Sequence, residues 1–379
     1  MKLIHLSDLH IGKRVNEFSM LEDQKYILAQ ILSIVKDEQP DGVILAGDIY
    51  DKTVPPAEAV QVFDHFLTEL SRLGTAVFLI SGNHHSAERL AFGSSLMRES
   101  RVFCAPVYDG NITSVCLEDS WGEVWIHLLP FLRPAAVRHV YENEPADTCE
   151  EAVATALSHL NPDPEKRNVL AAHQFVTGAA LSESEELAVG GLDQISAELF
   201  DPFDYVALGH IHSPQQVGRE TIRYCGTPLK YSFSEAGQQK SVTVVILREK
   251  GNIQIRTVPL KPLHDMRKLR GTYLEVTAKS FYEQFNREDY VQITLTDEED
   301  VPDGMQKLRV VYPNLMRLEY DNKRTREGRL IEAVEKLEEK SGLELFEEFY
   351  ELQNNSPMSE RQRSFAGKLM EEIDREREV

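Results

Sequence analysis

The sequence predicts an α/β protein: a layered domain of strands and helices, a smaller α/β unit behind it, and charged helices at the C-terminal end. Three observations predict this. Over residues 1–215, short apolar stretches of strand length alternate with amphipathic helical stretches. A strand–helix–strand–helix–strand pattern occupies 271–320. Beyond it, apolar residues recur at helical spacing within a run of charge.

Taken in order, residues 2–6 read as a strand, and 20–35 as a helix with Leu21, Ile27, Leu28, Ile31 and Val35 on one face. Residues 43–46 form a second strand. Val60, Phe63, Phe66, Leu67 and Leu70 mark a second helix, and 76–80 a third strand. Thr148-x-x-Glu151 is the signature of a capping box, opening a helix to Leu160. Residues 169–172 and 205–208 are further buried strands. A hairpin spans 241–260 around a turn at Lys250-Gly251-Asn252, and Lys261-Pro262-Leu263-His264 looks like a boundary. The small unit has strands expected at 273–276, 290–295 and 315–320. Leu330, Ile331, Val334 and Leu337 then form an apolar stripe, with Gly342 as a helix C-cap. Ser359-x-x-Gln362 opens a last helix that carries Phe365, Leu369, Met370 and Ile373 on one side. The expected domains are 1–265, 266–322 and 323–379.

Composition narrows the class. A chain of 379 residues suits one large domain with one or two small ones, and 42% hydrophobic residues suffice for a core. No apolar run approaches the roughly 18 residues of a membrane span. Charged residues follow the first methionine too closely for a signal peptide, and Cys104, Cys116, Cys149 and Cys225 form no CxxC pair, so the cytoplasm is the expected compartment. A net charge of −21 argues against nucleic-acid binding taken alone. Much of that acid lies in 335–348 and 371–378, and bound cations would offset charge where they sit.

The chemistry lies at the carboxyl end of each early strand. The first runs into Ser7-Asp8-Leu9-His10, the second into Gly47-Asp48, the third into Ser81-Gly82-Asn83-His84. The strand at 169–172 runs into His173, and that at 205–208 into Gly209-His210-Ile211-His212. Carboxyl ends of strands in an α/β sheet share an edge where ligands bind. Singly, each motif has an ordinary explanation: Asp-x-His is a turn, Gly-Asp a loop start, His173 a structural histidine. In order, each at the end of an apolar strand, they point to a metal centre. Seven N/O ligands exceed the needs of one ion and suit two divalent ions bridged by a carboxylate. No cysteine takes part, against a structural zinc site; imidazole with carboxylate favours manganese or iron and leaves zinc open.

The ordered set Asp-x-His, Gly-Asp, Gly-Asn-His, His and Gly-His-x-His resembles the calcineurin-like metallophosphoesterase superfamily. Within it, Ile4 to Gly12, Ala46 to Asp51, Ile80 to His84 and Tyr224-Cys225-Gly226-Thr227-Pro228 resemble the SbcD branch, the nuclease subunits of bacterial SbcC–SbcD complexes. The resemblance implies a layered metallophosphoesterase sandwich with helices flanking the sheets, a small α/β capping domain that positions DNA, and C-terminal helices that dock a partner. One metal would take Asp8, His10, Asp48 and His212; the other would take Asp48, Asn83, His173 and His210. His84 would stand beside the scissile phosphate, and Asp51 would supply a carboxylate that orients it. The resemblance further implies a manganese-dependent DNA exonuclease and endonuclease acting on ends and hairpins in repair and recombination. It would attack in line, with both ions stabilising the developing charge. It would work as a homodimer, with 57–73 and 86–99 as candidate surfaces, beside an SbcC-type ATPase with long coiled coils.

One residue departs from the family pattern. An acid usually follows Gly-Asn-His, and here it is His85. Loss of an outer carboxylate of this kind can cost roughly 10–100-fold in affinity or activity. His85 therefore supports an alternative, a catalytically impaired DNA-end-binding subunit. A second alternative is a small-molecule phosphodiesterase or protein phosphatase of the same superfamily. Residues 1–240 permit it, but it has no need of the added domain and tail.

Overall fold

The computed structural model describes residues 1–84, 93–185, 193–323, 325, 346, 347, 350, 358, 359, 361–367 and 369. The chain divides into two compact units, Met1–Met266 and Arg267–Val379.

The first unit is a sandwich of two six-stranded sheets. One sheet runs in the order Ile253–Pro259, Ser241–Leu247, Lys2–Leu6, Gly42–Ala46, Ala76–Ile80 and Val102–Ala105. Its last four strands are parallel, and the hairpin at its other edge is antiparallel. The other sheet runs Gln215–Val217, Arg219–Tyr224, Tyr205–Gly209, Arg167–His173, Gly122–Leu129 and Thr113–Asp119, with a parallel centre and antiparallel edges. Strands such as Gly42–Ala46 and Ala76–Ile80 are buried along their whole length, which is why they read as unbroken apolar runs. Leu3, Ile44, Phe78 and Ile80 of one sheet share a core with Ile126, Leu128, Val169 and Tyr205 of the other. The outer face of the second sheet packs Leu170, Val206 and Leu208 with Ala152, Val153 and Ala156 of the Cys149–Ser158 helix. The Leu21–Glu38 and Ala57–Arg72 helices bury Ile27, Ile31 and Val35, and Phe63, Phe66 and Leu70.

His5 ties the two sheets together. Its Nε2–H donates to the carbonyl of Leu208 at 3.1 Å, and its Nδ1 accepts from the Tyr205 hydroxyl at 2.9 Å. Burial, then the nearby Arg223, push its pKa down to about 3, so the ring is a neutral cross-link.

The expected strands at 2–6, 43–46, 76–80, 169–172 and 205–208 form, as does the hairpin of 241–260. The Thr148–Glu151 capping box forms in both directions. The hairpin of Thr113–Asp119 and Gly122–Leu129 has a weak sequence pattern, because its first strand mixes polar residues with apolar ones at the edge of the sheet.

The second unit contains a sheet of Met266–Gly271, Tyr290–Leu295 and Leu315–Tyr320 in that order. The strand expected at 273–276 is instead the helical turn Tyr273–Val276. Thr272 and Glu275 close a capping box over it, which satisfies the free N–H groups of a helix start. The true first strand, Met266–Gly271, was hidden by Arg267, Lys268 and Arg270. Leu269, Val276, Val291, Ile293, Leu308 and Leu315 form this unit's core. The stripe of Leu330, Ile331, Val334 and Leu337, with Gly342, Met370 and Ile373, lies outside the described residues. Ser359 and Gln362 form their reciprocal cap, and 361–367 are helical. Phe346, Tyr350, Met358, Phe365, Ala366 and Leu369 line an apolar groove of about 370 Å³.

Candidate metal centre

The loops that leave the first sheet are laced to one another by their backbones. Asp8 N–H donates to Gly47 O at 3.1 Å, His10 N–H to Asp48 O at 2.9 Å, and Ile11 N–H to Ile49 O at 2.8 Å. Asp8, His10, Asp48 and His210 all hold left-handed backbone, with φ of 52°, 45°, 44° and 99°. Non-glycine residues avoid this region at a cost of order 1–3 kcal/mol each, and such strain gathers at functional sites. Two glycines admit the close approach. A Cβ on Gly82 would lie 2.1 Å from Asp48 Oδ1, and one on Gly209 would lie 1.8 Å from the carbonyl oxygen of Ala46.

Both sheets contribute to the centre. Asp8, His10, Asp48 and Asn83 follow strands of the first, while His173, His210 and His212 end or follow strands of the second. Asp48 Oδ2 lies 3.3 Å from His173 Nε2 and 3.9 Å from His10 Nε2. Asn83 Oδ1 lies 3.0 Å from His173 Nε2 and 3.1 Å from His210 Nδ1. His10 Nε2 and His212 Nε2 are 3.0 Å apart. Among the described residues, three overlapping groups have ligand atoms close enough to share a cation: Asp8, His10 and His212; His10, Asp48 and His84; Asp8, Asp48 and His173.

Burial dominates the electrostatics. It drives His10 and His212 well below the usual imidazole range, and His210 down to about 3, so these rings are neutral donors of a lone pair. It pushes Asp8 up to about 7, helped by the neighbouring charge of Asp48. Burial also opposes charge on Asp48 and His173, but their mutual attraction wins. Asp48 stays well below the usual carboxylate range, and His173 rises to about 9. His10 Nδ1 is buried with no hydrogen-bond partner among the described residues. Carboxylates, an amide oxygen and neutral imidazoles facing one another at these separations fit divalent cations, which would replace the proton that His173 holds.

His84 meets Asp51, but not through the expected carboxylate. Its ring Nδ1 lies 3.1 Å from the backbone carbonyl of Asp51, and its own N–H donates to Asp48 Oδ1 at 3.1 Å. The Asp51 carboxylate instead takes Lys13 Nζ at 2.7 Å and lies 3.8 Å from His10 Nδ1. The lysine ammonium makes a strong charge-assisted bond to that carboxylate. His84 Nε2 points back to the centre, 3.8 Å from Asp48 Oδ2. His85 lies outside the described residues, as do 86–92 of the candidate dimer surface.

Several supporting residues carried no sequence signal. Gln24 donates to His10 O at 2.7 Å and to the Tyr231 hydroxyl at 2.9 Å, and Tyr231 donates to Leu9 O at 2.6 Å, bracing the Asp8–His10 loop. Phe131 packs against the rings of His173 and His210 at 6.1 and 6.4 Å. Ser184, Glu235 and Lys240 stand behind His212. They come from loops and a helical turn with no shared spacing. No disulfide joins any of the four cysteines, and no described helix is long and apolar enough to cross a membrane.

Two known families match parts of the chain. The calcineurin-like phosphoesterase family matches residues 1–214, and the SbcD_C family, described as the type 5 capsule protein repressor C-terminal domain, matches 262–354. Among solved structures, the chain is similar to a dimetal phosphatase from Danio rerio, at 12% identity and a TM-score of 0.43, covering 69% of this chain and 98% of that one. It is also similar to Yfce, a phosphoesterase from E. coli, at 13% identity and a TM-score of 0.28, covering 69% and 100%.

Proposed function

The chain belongs to the calcineurin-like phosphoesterase family, of the SbcD type by the match of its second unit, and from that premise we propose that it is a metal-dependent DNA nuclease. The observation that carries this reading is the meeting of Asp8, His10, Asp48, Asn83, His173, His210 and His212 from both sheets. In this reading Asp8, His10, Asp48 and His212 hold one manganese ion. Asp48, Asn83, His173 and His210 hold the other, and Asp48 is shared. Two cations so held supply a nucleophile at neutral pH and offset the charge that builds on a phosphodiester. Nδ1–H on the Asp51 carbonyl directs His84 Nε2 at the centre; to assist the leaving oxygen the ring must carry a second proton, on Nε2, which passes to that oxygen as the P–O bond breaks.

DNA as substrate is favoured by the second unit, which a small phosphodiester does not require. A net charge of −21 leaves little of this chain's surface suited to DNA, so a partner supplies it. The family likeness supports the reading of that partner as an SbcC-type ATPase with coiled coils, working with a homodimer of this chain in the cytoplasm. The domains are then the nuclease at 1–265, the cap at 266–322 and the docking helices at 323–379.

Cleavage of labelled duplex and hairpin DNA with manganese, with and without the ATPase, tests this. Cleavage abolished by Asp48→Asn is expected. Turnover of bis(p-nitrophenyl) phosphate without cleavage of DNA in either arm would move the reading to a small-molecule phosphodiesterase. Metal binding without turnover of either substrate would move it to an impaired subunit.

A further inference from the structure

His212 is held from behind by buried and half-buried groups to which the reaction assigns no task. Its ring Nδ1 lies 2.6 Å from Ser184 Oγ, and Ser184 Oγ lies 2.7 Å from Glu235 Oε1. Glu235 is fully buried, and Lys240 Nζ stands 2.5 Å from its Oε2. The same ammonium donates to the carbonyl of His212 at 2.8 Å. Glu185 accepts the backbone N–H of His212 at 2.8 Å and the Ser182 hydroxyl at 2.8 Å. Ring, amide and carbonyl of this one histidine are therefore all fixed.

The single proton of Ser184 decides which ring nitrogen of His212 is free. Glu235, ion-paired with Lys240, can only accept. If Ser184 gave its proton to His212, two oxygens without a hydrogen between them would face each other at 2.7 Å in a part-buried place. Ser184 therefore donates to Glu235 and accepts from His212, which puts the imidazole proton on Nδ1. The lone pair then lies on Nε2, the nitrogen that faces His10 Nε2 at 3.0 Å.

We infer that Glu235, acting through the hydroxyl of Ser184, is a positioning group for His212 that sets its tautomer and strengthens it as a cation ligand. Lys240 supplies the countercharge that lets the carboxylate stand there without water. Outer carboxylates commonly bond a ligating histidine directly. Here a serine is interposed, so the ring is aligned without the full negative charge at its edge. The inference rests on the reading of His212 as a ligand.

Glu235→Gln would strand Lys240, so the test is made at Ser184. Manganese titrations would compare the full-length protein with Ser184→Ala, Ser184→Thr and the ligand control Asp8→Asn. Long-range ¹H–¹⁵N spectra of the metal-free protein would report the His212 tautomer. Expected are the Nδ1–H tautomer in the parent, affinity weakened roughly 10–100-fold in Ser184→Ala, recovery in Ser184→Thr, and an unchanged melting temperature without metal. An Nε2–H tautomer in the parent would overturn the inference. So would full affinity in Ser184→Ala while Asp8→Asn loses it, and that result would leave the ligand reading standing. Full affinity in both would overturn the ligand reading as well.

Discussion

The backbone carbonyl of Asp51 accepts the ring Nδ1–H of His84 at 3.1 Å, while the Asp51 carboxylate is engaged by Lys13 at 2.7 Å. The orientation of His84 therefore depends on the path of the 48–51 loop and not on the acidity of residue 51. Replacing the ring with His84→Gln should slow cleavage by roughly 10²–10⁴-fold while manganese binding persists. Asp51→Asn keeps the carbonyl and should cost clearly less. Parallel rate and metal titrations check both; equal losses in the two variants would give the carboxylate the orienting role after all.

Metal uptake should release protons. Without metal, burial and Asp48 hold Asp8 at about 7, and Asp48 and Asp8 carry His173 up to about 9 against the effect of burial. A cation needs both groups deprotonated, so it competes with protons below those values, and manganese affinity should climb as pH rises from about 6 to 9. Calorimetry at pH 7.5 in buffers of different ionisation enthalpy should show net proton release. The linkage to folding has the opposite sign. A raised His173 stabilises the metal-free protein fully below its unfolded value of 6.5, and that share is lost as pH rises through about 9. An affinity that does not change with pH would contradict the protonated His173.

Gly209 is the tightest point of the centre. A Cβ there would stand 1.8 Å from the carbonyl oxygen of Ala46 and 2.7 Å from His173 Nδ1. Neither atom can yield, because both belong to buried strands joined by the 2.9 Å His173–Ala46 hydrogen bond. Gly209→Ala should destabilise the fold by about 1–3 kcal/mol or more and weaken metal binding. Gly237→Ala, where a Cβ meets nothing within 4 Å, should do neither. Urea unfolding of the two variants provides the comparison.

On the C-terminal helix, Phe365 is 68% exposed and Leu369 43% exposed beside the apolar groove. A face this open is expected to serve a partner's amphipathic helix more than the chain's own core. Phe365→Asp with Leu369→Asp should abolish copurification with the ATPase and leave the melting temperature and bis(p-nitrophenyl) phosphate turnover unchanged. A fall in melting temperature would mean that the two side chains pack internally.

Much of the fold was legible because its central strands are buried on both faces. Runs such as Val43 to Ala46 and Ala76 to Ile80 leave no residue free to be polar until the strand ends. Asp48 and Asn83, which follow these strands within three residues, stand out as site candidates for that reason. Where burial is one-sided or charge intervenes the sequence pattern is weak, as at Thr113–Asp119 and Met266–Gly271, and at Tyr273–Val276 the Thr272–Glu275 cap makes a helical turn of residues with a strand-like apolar pattern. Only the tertiary structure decided that Asp48 and His173, 125 positions apart in sequence, come within 3.3 Å across two sheets. It likewise decided that His84 bonds a carbonyl, and that Ser184 and Glu235 stand behind His212. Sequence spacing reports on neighbours along one helix or strand. The partner of a buried polar group is chosen by which donors and acceptors the packing of distant elements brings within about 3 Å.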